Sequence, residues 1–329
     1  MSKVLCSVAT RGRYFTTLPL VLNAIINQTK PVDKLIVFDD NDEPKDMRKE
    51  MIYSYFFQML DSKGIEWEWL FADKKGQHHI HQRANRMGYD WVWRCDDDAV
   101  PESNVLERLY SYAQGVDELG ESKVGAVGGS ILTPPYMPDT TKVTGLIDNI
   151  DSEPNIQWGR IERVKQVEHL HCSFLYRAGV CDYNTDLSRV AHREETLFTY
   201  ELHRKGYKIL AVPNAVTWHM KNPEGGIRSE TKREMYEHDE QIFRNILEYK
   251  DKTIVVLNSG MGDHLVFSHV LPEVKNPVVF GCYPEIMPCK SIAEAQSLFG
   301  DIDRYSIYGK MDQWNWSDSL ENAYRKLYL

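Results

Sequence analysis

Trp91-Val92-Trp93-Arg94-Cys95-Asp96-Asp97-Asp98-Ala99-Val100-Pro101-Glu102 is the stretch on which the reading of this chain turns. Residues 91–95 have the character of a short buried strand, and that strand opens directly onto three consecutive aspartates. Carboxylates two positions apart at a strand end can both reach one hard cation, directly or through water. Mg²⁺ and Mn²⁺ prefer oxygen ligands and are often completed by substrate phosphates. Such a metal then offsets the charge of a diphosphate leaving group. An acidic triplet taken alone is as easily a solvated turn that caps the next helix. What lies upstream decides between the two.

Three strand–helix units precede the triplet. Residues 4–9 read as a buried strand and are followed by Thr10-Arg11-Gly12-Arg13. A helical pattern then covers 17–27, with Leu18, Val21, Leu22, Ile25 and Ile26 on one face. Residues 34–38 form a second strand ending on Asp39-Asp40. A helix with Met51, Tyr55, Phe56 and Met59 on its apolar side leads to a third strand at 65–71 and to Ala72-Asp73. Lys74-Lys75-Gly76 then opens a polar, His-rich helix. This alternation predicts an α/β fold with a mainly parallel central sheet flanked by helices. Ligands of such sheets sit at the carboxyl ends of the strands, and four polar strand ends converge there in this chain.

Downstream, a glycine-rich strand over 124–129 leads to Thr133-Pro134-Pro135-Tyr136-Met137-Pro138, a rigid loop. Another strand falls within 164–176, and a helix over 195–205 is closed by Gly206. Extended segments follow at 207–213 and 215–219. Residues 222–228, with Gly225 and Gly226, are a connector or a lid over the site. A charged helix over 229–249 leads away, and a fresh strand begins at Thr253. The organisation expected is a main domain at 1–228, a linking helix at 229–251 and a small α/β accessory subdomain at 252–329.

The 329 residues carry a net charge of -9, with 42% hydrophobic and 26% charged residues. That balance suits a globular protein and argues against a general nucleic-acid-binding surface. The first residues have no apolar leader segment, and no apolar run approaches the roughly 20 residues that span a bilayer. Cysteines 6, 95, 172, 181, 282 and 289 form no C-x-x-C pair. Reduced core thiols in a cytoplasmic protein are the expectation, with Cys172 and Cys181 placed to approach one another across a loop.

Ser7-Val8-Ala9-Thr10-Arg11, Leu22-Asn23-Ala24-Ile25-Ile26-Asn27-Gln28-Thr29 and Leu35-Ile36-Val37-Phe38-Asp39-Asp40 together resemble the opening of glycosyltransferase family 2. There a strand, a helix ending in Gln-Thr and a strand ending in Asp-Asp form the nucleotide pocket. The triple Asp resembles the family's D-x-D motif. His192-Arg193-Glu194-Glu195-Thr196-Leu197-Phe198, Arg204-Lys205-Gly206-Tyr207-Lys208-Ile209 and Val212-Pro213-Asn214-Ala215-Val216-Thr217-Trp218-His219 resemble its acidic catalytic motif and closing strand. The resemblance covers about residues 3–220 in the expected order.

It implies a GT-A fold and metal-dependent, inverting transfer from a nucleotide-diphosphate sugar to an acceptor hydroxyl on a glycan, a lipid-linked molecule or another compound. By the same resemblance, Thr10, Arg11, Asp39 and Asp40 line the nucleotide pocket. Asp96 and Asp98, with His219, hold Mn²⁺ or Mg²⁺, and Asp96 and Asp97 face the diphosphate. Glu195 matches the general base, beside Glu194. Two departures stand out. The acidic motif reads Glu194-Glu195 where the family usually has Glu-Asp. The helix before the D-x-D carries His78, His79, His81, Gln82 and Arg83 in place of Ala-Arg-Asn. Arg83 or Lys75 is then either a diphosphate contact or part of a solvated basic face.

The segment Val255-Val256-Leu257-Asn258-Ser259-Gly260-Met261-Gly262-Asp263-His264 faintly resembles the start of heptosyltransferase-like GT-B enzymes. It suggests an accessory role in acceptor binding or self-association. Three rival readings share parts of the pattern. A nucleotidyltransferase needs a glycine-rich, Lys-bearing phosphate loop, and Thr10-Arg11-Gly12-Arg13 is a poor one. A D-x-D-x-V phosphohydrolase places that motif after its first core strand. A non-catalytic sugar-binding descendant has no need to retain every acidic position.

Overall fold

The computed structural model describes residues 2–115, 123–133, 149–151, 155–222, 224–227, 232–299, 302–307, 309 and 319–329. The chain divides into two compact units, Met1–Tyr236 and Glu237–Leu329. The proline-rich loop at 134–138, Pro223 and Arg228 lie outside the described residues.

The first unit is built on a nine-stranded mixed sheet. Its opening strands are β1 (Val4–Thr10), β2 (Lys34–Asp39), β3 (Glu66–Phe71) and β4 (Trp91–Asp96), and they lie in the order β3-β2-β1-β4. All three pairings among them are parallel. Helices α1 (Leu18–Ile26), α2 (Met51–Ser62) and α3 (Gln77–Asn85) connect them. The register sets the site: Thr10 pairs with Asp39, and Ala9 with Asp96, so the polar ends of three strands finish level. α1 buries Leu18, Val21, Leu22, Ile25 and Ile26, the stripe its periodicity predicts. α2 departs from expectation. Its buried face is Tyr53, Phe56, Phe57 and Leu60, while Met51 and Tyr55 are exposed. Tyr53 and Phe57 win because they pack against Trp69 and Trp67 of β3, and Phe56 packs edge-on against Tyr53.

Beyond β4 the sheet changes direction. β8 (Phe174–Arg177) pairs antiparallel with β4 and with β6 (Val124–Leu132). β9 (Lys208–His219) runs parallel to β6, and β5 (Ala99–Pro101) and β7 (Lys165–Val167) lie antiparallel to β9. Helices α4 (Val105–Ala113) and α5 (Glu194–Arg204) complete the unit. The two extended segments expected at 207–213 and 215–219 are thus one strand. It is interrupted by a bulge: Gly128 of β6 pairs with Ala211, but Ser130 pairs with Val216. Asn214 accommodates the excursion with a φ of 60°. Such bulges re-aim the strand that follows, and here that strand ends on His219, opposite Ala99 and so one residue from Asp98.

The core lies on both faces of the sheet. Trp91, Trp93 and Cys95 point to one side with α1, α2 and α4, and Val92, Phe174 and Tyr176 to the other with Phe198 of α5. No helix among the described residues is long and apolar enough to cross a membrane. All six cysteines are unpaired.

The second unit contains a three-stranded parallel sheet: β10 (Thr253–Leu257), β11 (Pro277–Gly281) and β12 (Lys290–Ser291). α7 (Met261–Val270), α8 (Ile292–Phe299) and α9 (Leu320–Tyr328) accompany it. Val255, Leu257, Phe267 and Tyr324 form the centre of its core. The charged helix α6 (Arg233–Glu248) runs across the division between the units.

Gly129 offers a direct test of the bulge. A Cβ there would lie 1.9 Å from the Ala215 carbonyl oxygen and 2.7 Å from the Ala215 Cβ, so β6 and β9 cannot keep their spacing. Gly129→Ala is expected to cost at least the ~1–3 kcal/mol of an overpacked core, read as a lowered denaturation midpoint. An unchanged midpoint would show that the bulge is not a packing constraint.

Candidate active site

β4 places its side chains alternately on the two faces, so Val92, Arg94 and Asp96 share one side. Arg94 is fully buried, in the middle of an otherwise apolar strand. Its Nη2 donates to Asp96 Oδ1 at 2.6 Å; its Nη1 donates to Glu194 Oε1 and lies 3.3 Å from Glu195 Oε2. One guanidinium therefore joins the aspartate at the strand end to both glutamates at the start of α5. Sequence reasoning missed this residue. The available signal was a charged side chain inside a buried strand, which is rare unless paired.

The left-handed Arg193 (φ 71°) turns the chain into α5 and presents the two glutamates differently. Glu194 is wholly buried, whereas Glu195 lines a cavity of about 1060 Å³. Burial, together with the neighbouring Glu195, pushes the Glu194 carboxyl well above its usual range. Burial would do the same to Glu195, but the Arg94 guanidinium and the nearby His171 outweigh it and hold that carboxyl well below the usual range. His171 Nδ1 lies 3.9 Å from Glu195 Oε1. Burial alone would lower Arg94, yet Glu194, Asp96 and Glu195 raise it further above its ordinary value.

The three aspartates have separate environments. Asp97 turns inward to the neighbouring strand end. It accepts from Thr10 Oγ1 at 2.8 Å, from the Arg11 amide at 3.2 Å and from Arg13 Nη1 at 2.5 Å. Burial raises its pKa to about 6. Asp98 lies 3.1 Å from Arg13 Nη1 and 3.5 Å from His219 Nε2. Its backbone carbonyl accepts from the Met220 amide at 2.8 Å, which pins β9 to the aspartate turn. Burial favours the neutral form of Asp98, but His219 and Arg13 hold its pKa below the usual value. Asp96 is raised, chiefly by burial. Oxygen, nitrogen and sulfur atoms of Asp96, His219 and Cys172 lie within 4.8 Å of one another, a spacing that can hold a metal ion. Sequence reasoning placed Cys172 near Cys181 and not in this group; both thiols are free.

Of the residues expected at a nucleotide and metal site, the structure gathers Thr10, Arg11, Asp40, Asp96, Asp97, Asp98, Glu195 and His219 around the one cavity. Asp39 does not reach it. That side chain is buried and accepts from Asn41 Nδ2 at 2.7 Å and from Tyr14 at 2.5 Å. Arg83 and Glu194 are also absent from the lining described. Arg83 Nη1 lies 3.4 Å from the exposed Asp73, and Lys75 donates to the Asn41 carbonyl at 2.6 Å. Gly225 and Gly226 do line the cavity. The Gly226 amide donates to the Arg11 carbonyl at 2.7 Å, and Arg13 donates to the Asn222 carbonyl at 3.2 Å, so the described part of the connector is strapped to the 11–13 turn.

No family model matches the chain. A galactofuranosyltransferase of Mycolicibacterium smegmatis, GlfT1, is 28% identical over 113 residues, which is 34% of this chain and 36% of that protein. The chain therefore spans about a third of the length of this relative. Among solved structures, S. aureus TarS aligns with a TM-score of 0.48 and 13% identity over 74% of this chain and 39% of its own. The mannosyltransferase PcManGT from Pyrobaculum calidifontis, in complex with GDP-Man and Mn²⁺, aligns with a TM-score of 0.46 and 17% identity over 84% and 66%. The chemistry that follows comes from the site's own geometry.

Asp40 gives the site a pH signature. Both its oxygens accept from the Gly76 amide at 3.2 Å, and burial raises its pKa from 3.8 to about 6. A carboxyl whose folded pKa exceeds its unfolded one stabilises fully below the unfolded value and loses that contribution as pH rises through the folded one. Asp40→Asn should therefore gain midpoint relative to wild type as the metal-free proteins are taken from pH 4 to 6, and the gain should level off above. A wild-type-minus-variant difference that is flat across this window would place the Asp40 titration elsewhere.

Proposed function

We propose that the chain is a metal-dependent, inverting glycosyltransferase that moves a sugar from a nucleotide-diphosphate donor to an acceptor hydroxyl. One observation carries the reading. Asp96, Asp98, His219 and Glu195 line a single cavity, and the buried Arg94 joins Asp96 to Glu195. A metal-and-diphosphate locus beside an ionised carboxylate is what displacement at a sugar C1 requires.

Asp96, Asp98 and His219 fit a divalent cation, Mn²⁺ or Mg²⁺, by donor type. When bound, such a cation supplies charge neutralisation to the departing diphosphate. The nucleoside belongs beside Asp40, Thr10 and Arg11, where a carboxylate can accept from a base N–H or a ribose hydroxyl. Asp97 serves the site indirectly, because its bonds to Thr10, Arg11 and Arg13 fix the turn that follows β1.

Glu195 takes the proton of the acceptor hydroxyl as that oxygen attacks C1 from the face opposite the leaving group. It is suited to this role by position: it lines the cavity, and its 3.3 Å contact to Arg94 is the longest of that guanidinium's three carboxylate contacts. Glu194 is sealed from the cavity and orients Arg94 by accepting a hydrogen bond from its guanidinium. Residues 252–329 are assigned an accessory role in acceptor binding or self-association, on the strength of their small α/β shape and their separation from the catalytic cavity in sequence.

Glu195→Gln keeps size and hydrogen bonding but removes the basic lone pair. Turnover should fall by about 10²–10⁴-fold, while donor affinity changes by less than about threefold, because a bond made only in the transition state leaves ground-state binding alone. Glu195→Asp should retain much more activity than Gln. Glu194→Gln, read in the same assay, should be milder. A Glu195→Gln enzyme that turns over like wild type while Glu194→Gln is dead would move the base by one residue. Wild-type activity in both would remove the acidic pair from the mechanism.

A further inference from the structure

Cys172 sits in the wall of the cavity, 2% exposed, on the segment between β7 and β8. Its backbone is held in the left-handed region (φ 60°), which L residues other than Asn and Asp rarely adopt and which costs of order 1–3 kcal/mol. The flanking chain maintains that geometry. The His171 amide donates to Gln157 Oε1 at 2.8 Å, the Ser173 amide to the His171 carbonyl at 2.7 Å, and the Leu170 amide to Thr199 Oγ1 at 2.9 Å. The result is a thiol whose Sγ lies within 4.8 Å of both a carboxylate oxygen of Asp96 and a ring nitrogen of His219. Two further buried nitrogens point the same way. His219 Nδ1 and His171 Nε2 have no hydrogen-bond partner among the described residues, and both side chains line the cavity. His171 is 4% exposed.

We propose that Cys172 is a metal ligand of this cavity, so that Asp96, Cys172 and His219 form a mixed oxygen, sulfur and nitrogen site for a thiophilic divalent cation such as Zn²⁺, Cd²⁺ or Co²⁺. The proposal rests on the reading of Asp96 and His219 as cation ligands and adds a third donor to it. Carboxylate, imidazole and thiolate are the donor set of tetrahedral zinc sites. Sulfur adds little for a hard cation and much for a soft one. Ligation requires the thiolate, so a bound cation displaces the thiol proton, which leaves to solvent. As a consequence, thiophilic cations compete with Mn²⁺ for Asp96 and His219 and displace it from the site.

The test uses the full chain with Cys282→Ser and Cys289→Ser, which removes the two cysteines that are not buried. The metal-stripped protein is titrated with Cd²⁺ alone while thiolate-to-metal charge-transfer absorption is followed. Free Mn²⁺ is measured separately by electron paramagnetic resonance in the presence of a nucleoside diphosphate. A saturable one-to-one band is expected. Cys172→Ser and Cys172→Ala should abolish it and weaken Cd²⁺ by at least the ~10–100-fold that loss of even an outer-shell partner costs. Mn²⁺ affinity should change by less than about threefold, since sulfur contributes little to a hard cation. X-ray absorption of the Zn²⁺-loaded parent, which needs no change at Cys172, should show one sulfur at about 2.3 Å. No sulfur around zinc, or a cadmium band that survives both Cys172 variants, overturns the proposal. If Mn²⁺ still binds in that case, the reading of Asp96 and His219 stands without Cys172. If neither cation binds, both fall together.

Discussion

The structure depends on a buried arginine that shares its charge among three carboxylates. Arg94 has no exposed surface, and Asp96, Glu194 and Glu195 all contact its guanidinium. Taking such charges out of water costs several kcal/mol per ion, and removing one partner of a buried pair typically costs about 3–5 kcal/mol. The planar, always-charged fork of arginine suits this role, because it can address two directions at once; a lysine point charge cannot. One consequence is mechanical. The end of β4 and the start of α5, about a hundred residues apart in sequence, are held at a fixed separation, which is the separation between the proposed leaving-group side and the base.

A second consequence is electrostatic. Five carboxylates (Asp96, Asp97, Asp98, Glu194 and Glu195) cluster here, with Arg13 and Arg94 among their arginine partners. The cluster resolves its excess charge partly by leaving some members hard to ionise: Asp96, Asp97 and Glu194 are all raised. Glu195 and Asp98 are the two that stay ionised most readily, one because of Arg94 and the other because of His219 and Arg13. Neighbouring carboxylates whose pKa values are pushed apart in this way take different chemical roles. The β6–β9 bulge contributes by delivering His219 to Asp98, so strand irregularity and site electrostatics are one design feature rather than two.

Much of this was legible in the sequence. The apolar runs and polar strand ends gave β1, β2, β3 and β4 as parallel strands; β1, β2 and β4 were legible because buried strands leave near-continuous hydrophobic signatures. The triple Asp and Glu195 could be placed on the cavity from motif order alone. Other features stayed hidden for physical reasons. Arg94 lies inside an apolar strand, where its partners come from residues that only the fold brings near. Asp97 faces Thr10 and Arg13 because the chain turns at residues 97–98 between β4 and β5, and a run of three identical residues conceals where that turn begins. The face of α2 was misread because its contacts with Trp67 and Trp69, not hydropathy, choose the buried stripe. β9 appeared as two segments because Pro213 and Asn214 mark a bulge as readily as a break. Cys172 looked like one more core thiol, since nothing local shows that Asp96 and His219 lie beside it.

The central claim is that this excess of carboxylates is a site for a cation that a diphosphate completes. The direct measurement is calorimetric binding of a nucleoside diphosphate to the wild-type chain with Mn²⁺ and, separately, with EDTA. The account predicts clearly tighter binding with the metal, and the loss of that difference in Asp98→Ala, whose side chain contacts both His219 and Arg13. Equal affinity with and without metal in the wild type would contradict it.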